Sequence, residues 1–513
     1  MSNQLAESNN FSLTGEQRDI INSNVPMLIV NAYAGSGKTT TLVEFARSKP
    51  NKSMIYLAFN KAIAEEAKKI FPINVTVKTA HGLAYQVLSP SLRRKLSKTG
   101  NVLISDVYDF LKRAYPEIDK PLAGSLIKSI NAFCFSNFKN VSDSVPPDQE
   151  LLIPREDYLD LLEMLWFALL SPNVRVRISH DVYLKAYQLS APVLNYDYIL
   201  LDEAQDANPA IADVVFSQGS RSRANLVLVG DQLQSIYGFR GSEDTLDKFN
   251  PDKILPLTHS FRFGEEIAAA VNSLLNINKF SHLPPVKGVG VSGAVGYVPS
   301  SESFALIART NGGLLSRALK YAENGKSLYF VSGIKSYSFT KILDVERLML
   351  GIKGRIRDPE IKMFGSFVEC KHYAKNAGDK ELKKIISMVE RYPGRMSEKI
   401  DLIRSMTVDD ETSADVVLTT AHKSKGLEFD NVVLANDYQT IVSSNGKLSP
   451  KNYQEELNIL YVAATRAIKR LEPNRQLNNI INYGKVSVDT SIDVENQSEE
   501  NFGRSFLNSG FFK

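Results

Sequence analysis

Residues Asn31–Thr41 read NAYAGSGKTTT, directly after an apolar run, Met27–Asn31 (MLIVN), and at the start of a helix-forming stretch, Lys38–Arg47. A strand, a glycine-rich turn and a helix in that order make a phosphate cradle. Glycines 35 and 37 let backbone N–H groups turn inward with no Cβ in the way. Lys38 then reaches the β- and γ-oxygens of a nucleoside triphosphate such as ATP, and the Thr39 hydroxyl can ligate Mg2+. The expected nucleotide contacts are Ala34, Gly35, Ser36, Gly37, Lys38, Thr39 and Thr40. The strictest form of the pattern has glycine six residues before the lysine, where this chain has Ala32. An ordinary glycine turn can also open a helix; the coincidence of apolar strand, loop, Gly-Lys-Thr and helix argues against that simpler reading.

A second segment, Tyr198–Asp206 (YILLDEAQD), puts Asp202 at the C-terminal end of an apolar strand, where open α/β sheets bind their ligands. Asp202 is expected to hold the Mg2+ through water, and Glu203 to polarise an attacking water. Acidic pairs open many solvated helices, but beside the cradle this pair predicts nucleoside-triphosphate hydrolysis.

Outward from these two segments, short apolar runs alternate with helical stretches. Met54–Phe59, Val75–Lys78, Tyr198–Leu201 and Leu226–Val229 read as strands of a parallel sheet covered on both faces. A second alternating set begins at Ile254–Leu257 and includes Phe304–Ala308, Ser327–Val331, Val416–Thr419 and Asn431–Ala435, then a helix from about Glu455 to Leu471. Each set is broken by a charged, helix-leaning stretch. The expected organisation is a first α/β core over 1–88 and 186–258, interrupted by a helical insertion over 89–185. A second core follows over 259–340 and 412–484, interrupted by a smaller insertion over 341–411, with a disordered tail over 485–513.

Composition narrows the field. A chain of 513 residues has material for more than one core. No run of ~18 apolar residues predicts a membrane span, and the polar start MSNQLAESNN lacks a signal-peptide pattern. Two cysteines, Cys134 and Cys370, exclude a disulfide framework or a cysteine-built metal cluster and suit a reducing cytoplasm. With 61 basic and 57 acidic residues the net charge is only +4, so any nucleic-acid surface must be local.

Further motifs decide what the hydrolysis serves: LTGEQRDII from Leu13, AFNKA from Ala58, KTAHGLAY from Lys78, VGDQLQSIYGFRGS from Val229, SFRFGEEI from Ser260, TTAHKSKGLEF from Thr419 and LYVAATRA from Leu460. In this order and spacing, from Leu13 to Leu471, the chain resembles superfamily 1 DNA helicases of the UvrD/Rep type, and especially the helicase part of the F-box DNA helicases. The resemblance implies two RecA-like parallel-sheet domains of α/β class, each interrupted by a mainly helical insertion. By position, it implies that Gln17 reads the adenine, Phe261 stacks on its ring and Glu428 holds the ribose. Gln234 and Arg262 would sense the γ-phosphate, Arg466 would be the arginine finger, and Gln205 would link the nucleotide and strand sites. For DNA it implies Phe59, Asn60, Thr79, His81, Tyr237, Phe239, Arg240 and His422.

The plainer readings are a core role for Phe59, Tyr237 and Phe239, structural roles for His81 and His422, and a surface salt bridge for Arg466. The chain departs from the family at Phe239, where tryptophan is usual, at Ala463–Ala464, where glycine is common, and at Glu472–Pro473, where an apolar strand is expected to continue. No nuclease-like carboxylate cluster follows the last motif, and no F-box-like segment precedes the first. The implied activity is an ATP- and Mg2+-dependent, 3′→5′ single-stranded DNA translocase and helicase acting on duplex junctions in DNA repair or recombination. It would be cytoplasmic, and nucleoid-associated if prokaryotic or viral. Stripping of proteins from single strands, or a nucleotide-gated DNA-binding switch, are the alternatives. At the tail, Phe506, Leu507, Phe511 and Phe512 suggest docking to a replication or recombination protein, or folding back on the second core.

Overall fold

The computed structural model describes residues 12–483 apart from 99, 237–249, 280, 338, 377–379, 444–447 and 449–452. The tail residues Phe506, Leu507, Phe511 and Phe512 lie outside the described residues.

The apolar runs of the first half form one sheet: β1 (Met27–Ala32), β2 (Met54–Ala58), β3 (Val75–Thr79), β4 (Tyr198–Leu201), β5 (Asn225–Gly230) and β6 (Lys253–Leu257). Its order is β3-β2-β4-β5-β1-β6, parallel throughout. Every residue of β2 and β4 is buried, as expected of strands covered on both faces. The pairing of Leu201 with Leu228 and of Asn31 with Gly230 sets the ends of β4, β5 and β1 side by side. The cradle and the DEAQD segment therefore leave the sheet at the same edge. Ile254–Leu257, which opens the second set in the sequence, belongs to this first sheet as its edge strand beside β1.

After a two-stranded pair, β7 (His259–Ser260) and β8 (Lys287–Gly288), the second sheet takes β9 (Ala294–Val295), β10 (Phe304–Ala308), β11 (Leu328–Phe330), β12 (Val416–Thr420), β13 (Phe429–Leu434) and β14 (Ala467–Glu472). Its order is β11-β12-β10-β13-β14-β9, again all parallel. One expectation is corrected here. The helix does not run to Leu471: it spans Gln454–Ala464, and the chain turns within two residues into β14. Ala467 and Leu471 are fully buried on one face of that strand, which fills the place between β13 and β9. Pro473 falls just beyond it, where no ladder hydrogen bond is needed.

The helical stretches differ in how they are anchored. Between β3 and β4, the helices Ile104–Leu111, Lys120–Phe135, Arg155–Leu170 and His180–Leu189 enclose a core of their own, with Val107, Leu126, Ile130, Phe133, Leu162 and Leu165 fully buried. Two buried lysines close helix ends there. Lys95 Nζ donates to the carbonyls of Ala168, Leu169 and Ser171 at 2.8–2.9 Å, and Lys185 Nζ to those of Ser136 and Phe138 at 3.0 and 2.6 Å. Between β11 and β12, by contrast, Ile342, Val345, Ile385 and Val389 join one apolar cluster with Leu306, Leu328 and Leu418 of the sheet. Cys134 and Cys370 are both buried, and neither forms a disulfide. Among the described residues, no helix is long and apolar enough to cross a membrane.

A separate core implies separate stability. Leu165→Ala should destabilise the helical unit between β3 and β4 by about 2–5 kcal/mol. Hydrogen exchange should then rise in Lys120–Phe135 and Arg155–Leu170 while β1 and β4 keep their protection; uniform loss would show one cooperative unit instead.

Candidate active site

Thr14 caps the helix Gly15–Ile21 in a reciprocal box: its hydroxyl accepts from Gln17 N at 3.1 Å, and its own N–H donates to Gln17 Oε1 at 3.0 Å. That lock leaves Gln17 Nε2 to donate to Thr41 Oγ1 at 3.2 Å, just below the cradle. Gly35 and Gly37 adopt left-handed φ values of 71° and 74°, which glycine takes without strain. A Cβ on Gly35 would lie 2.7 Å from Arg262 Cβ and 2.8 Å from Ser260 Oγ, so the second half of the chain lies across the cradle. Two hydrogen bonds hold it there, Phe261 N to Gly35 O and Ser260 Oγ to Ala34 O, both 2.8 Å. Phe261 faces Gly37.

The donor set suits a nucleotide phosphate. Ser36 Oγ is buried with no hydrogen-bond partner, beside a loop whose glycines leave room for phosphate oxygens. Asp202 suits a hydrated Mg2+: it is buried and holds only Tyr56 OH at 2.5 Å and Glu203 N at 2.9 Å. Burial and the adjacent Glu203 charge push its carboxyl above the usual range, a cost that a divalent cation would reverse. Among the described residues no three His, Cys, Asp or Glu side chains gather into a metal cage. Mg2+ needs none, because it keeps several waters and binds through one carboxylate, a hydroxyl such as that of half-buried Thr39, and phosphate. Thr40 points outward.

Glu203 sits at a left-handed φ of 50°, a strained setting for glutamate that aims its side chain back at the cradle. Its Oε1 is 3.8 Å from Lys38 Nζ, and its Oε2 accepts from Gln205 Nε2 at 2.6 Å. Burial opposes its ionisation, but Lys38 and Lys425 together hold the carboxyl well below its usual value. Gln205 Oε1 accepts Asp231 N at 3.0 Å, and a Cβ on Gly230 would lie 2.4 Å from that oxygen.

From the second core come the cations. The joint between the Gln454–Ala464 helix and β14 places Arg466 inside the cleft, 1% exposed. Its guanidinium donates to Val462 O at 2.8 Å, Leu427 O at 3.1 Å and Gln234 Oε1 at 3.4 Å. This is no surface salt bridge. Burial and neighbouring Arg262 push Arg466 down to about 9, still charged at neutral pH. Arg262 is held by Glu428 at 2.9 Å and by Thr465 O at 2.8 Å.

Three residues in this cleft had been assigned no role by their sequence positions. Asp231 accepts from Gln234 Nε2 at 2.7 Å and from Tyr461 OH at 2.9 Å. Tyr461, fully buried, also accepts from Ala34 N at 3.4 Å, tying the Gln454–Ala464 helix to the cradle. Lys425 donates to Asp206 and, at 2.7 Å, to Gln234 O. All three lie within quoted motifs, but apart from the local Asp231–Gln234 bond their partners are 191 to 427 residues away in the chain, so spacing alone carried no signal.

The expected DNA contacts fall in two places. Asn60 and Thr79 end β2 and β3 as helix caps, accepting from Ile63 N at 3.0 Å and Gly82 N at 2.9 Å. Phe59 is exposed, and His81 Nε2 lies 3.4 Å from Asp181 Oδ1. Phe59, Asn60, His81 and Asp181 share one cavity of about 220 Å³ with Asp202, Glu203 and Asp206. His422 is elsewhere, with its Nε2 3.2 Å from Ile236 O and its pKa lowered by burial. Tyr237, Phe239 and Arg240 lie outside the described residues.

Comparison with known proteins agrees with this geometry. Residues 156–254 match the UvrD/REP helicase N-terminal domain, and residues 361–472 the UvrD-like helicase C-terminal domain. F-box DNA helicase 1 of Gallus gallus is 32% identical over 91% of this chain and 50% of its own length. F-box DNA helicase protein 1 of Schizosaccharomyces pombe is 32% identical over 91% of this chain and 58% of its own. DNA helicase II of Rickettsia typhi is 26% identical over 82% of this chain and 70% of its own. The chain thus spans about half the length of the F-box helicases it matches. With an all-parallel sheet on each side of one cleft, and both halves matched in order, the chain belongs to the UvrD-like helicase family.

Proposed function

We propose that this protein is an ATP-dependent DNA helicase that moves along single-stranded DNA and opens duplex junctions. The observation that carries this reading is the cleft: Lys38 and Glu203 come from the first core, Arg262 and Arg466 from the second, and all four converge on it. Hydrolysis that needs cations from both sides is sensitive to how the two cores close, and movement requires that coupling.

Each side chain has a distinct task. Lys38 and the cradle amides bind the phosphates, with Gln17 and Phe261 at the base and Glu428 at the ribose. Mg2+, held by Asp202 and Thr39, would supply charge neutralisation at the β- and γ-oxygens. Glu203, kept ionised by Lys38 and Lys425, accepts a hydrogen bond from the attacking water and orients it. Arg466 and Arg262 balance charge on the γ-phosphate, and Gln234, bonded to Arg466, reports its presence to the loop that follows.

On the other side, the cavity shared by Phe59 and His81 with Asp202 and Asp206 brings a bound strand next to the hydrolytic carboxylates. Tyr237, Phe239 and Arg240 join the strand contacts by the family resemblance alone, and His422 Nε2 lies 3.2 Å from Ile236 O. Travel from 3′ to 5′, and work in DNA repair or recombination, follow from the family resemblance.

Lys38→Ala should abolish ATP turnover while leaving a folded, soluble protein, measured by phosphate release and calorimetry. Glu203→Gln should bind nucleotide and DNA but not hydrolyse. Arg466→Ala should cut DNA-stimulated turnover by about 10³-fold or more; normal turnover would refute the shared cleft. Strand displacement on naked forks by the wild type, but not by Glu203→Gln, checks the helicase reading. DNA-stimulated turnover without displacement would instead indicate stripping of bound proteins.

A further inference from the structure

Away from the cleft, the second core carries a basic groove that the nucleotide and strand sites do not use. The helix Asn311–Glu323 follows β10, and the helix Lys380–Arg391 packs along it. Gly312 makes the close approach possible: a Cβ there would lie 2.8 Å from Lys384 Cβ. The groove between the helices has a volume of about 640 Å³.

Arg317 and Lys320 line one wall, and Lys384 and Arg391 the other. Among the described residues, none of these four cations has a carboxylate within ion-pair distance. The groove's one acid, Glu323, is already neutralised by Lys399 at 2.8 Å. Helices of 13 and 12 residues extend the groove over ~18–20 Å. Lys384 and Arg391 are separated by ~10 Å along their helix axis, about three phosphate steps of a DNA strand. Like charges held this close repel one another, and a polyanion removes that repulsion.

We infer that this groove binds the phosphate backbone of the duplex arm of a DNA junction. The inference rests on the DNA-helicase reading above. It favours duplex over single strand because the groove offers no free aromatic face. Its one ring, Tyr392, is half-buried and already carries Arg391 at 5.6 Å and Lys399 at 5.1 Å. Single-strand sites depend on base stacking, whereas duplex backbones need only spaced cations.

The test compares wild type with the combined variant Arg317→Gln, Lys320→Gln, Lys384→Gln and Arg391→Gln. Affinity is measured between about 50 and 200 mM salt for a single strand and for a fork with a duplex arm of about 20 base pairs. On the fork, the slope of log affinity against log salt should become shallower by about 3–4, with affinity at least about tenfold weaker. Single-strand affinity and single-strand-stimulated ATP turnover should not change. Arg317→Lys with Arg391→Lys should keep the wild-type slope, because counterion release counts charge; loss in that variant would mark a structural effect and overturn the proposal. An unchanged fork slope in the glutamine variant, or equal loss on single strand and fork, would also overturn it. If wild type binds neither DNA, the helicase reading fails with it, an outcome distinct from failure of the groove alone.

Discussion

Three buried aspartates and one half-buried glutamate at the ends of β4 and β5 set the conditions for the rest of the structure. Asp202, Glu203, Asp206 and Asp231 share a space from which bulk water is largely removed. Isolated carboxylates there would be costly, and burial does push Asp202, Asp206 and Asp231 above their usual range. From the first core, Lys38 supplies counter-charge, and Tyr56, Gln205 and Gln234 donate neutral hydrogen bonds. Lys425, Arg466 and Tyr461 complete the balance, and all three belong to the second core. The two sheets are therefore bound by the electrostatic need of one of them.

Close backbone approach follows from that need. Ser260 and Phe261 can lie against the cradle only because Gly35 has no side chain, and Gln205 can reach across to Asp231 only because Gly230 has none. Arg262 shows how little slack remains: Glu428 and the Thr465 carbonyl occupy its guanidinium. Glu428 and Arg262 are therefore coupled, because a change at either group is felt by the other through one ion pair. Such coupling needs no long pathway, because Arg466, Gln234 and Asp231 touch in sequence within the cleft.

Strand placement was legible wherever an apolar run was fully buried. MIYLA, YILL and FALIA can only be interior strands once helices alternate with them, and all three are. β14 was not legible in the same way. AIKRLE carries apolar side chains at only three of six positions and follows a strong helix former, so the local pattern extends the helix. The free edge of β13 overrides it. The same turn converts Arg466 from a residue on a helix surface to the most enclosed arginine of the cleft.

The order of the motifs, the cradle glycines and the acidic strand end are local properties of the chain, and the sequence by itself determined them. It thereby determined two α/β cores and the place of the candidate site on the first. Tertiary structure alone decided which distant groups neutralise the acidic cluster. Tyr461 and Lys425 were assigned there by contacts 219 to 427 residues apart. The basic groove likewise exists only because Gly312 lets Lys384 lie beside a helix some seventy residues earlier. Local patterns report the hydrogen-bonding and burial demands of neighbouring residues; charge balance in a closed cleft depends on every group that folding brings into it.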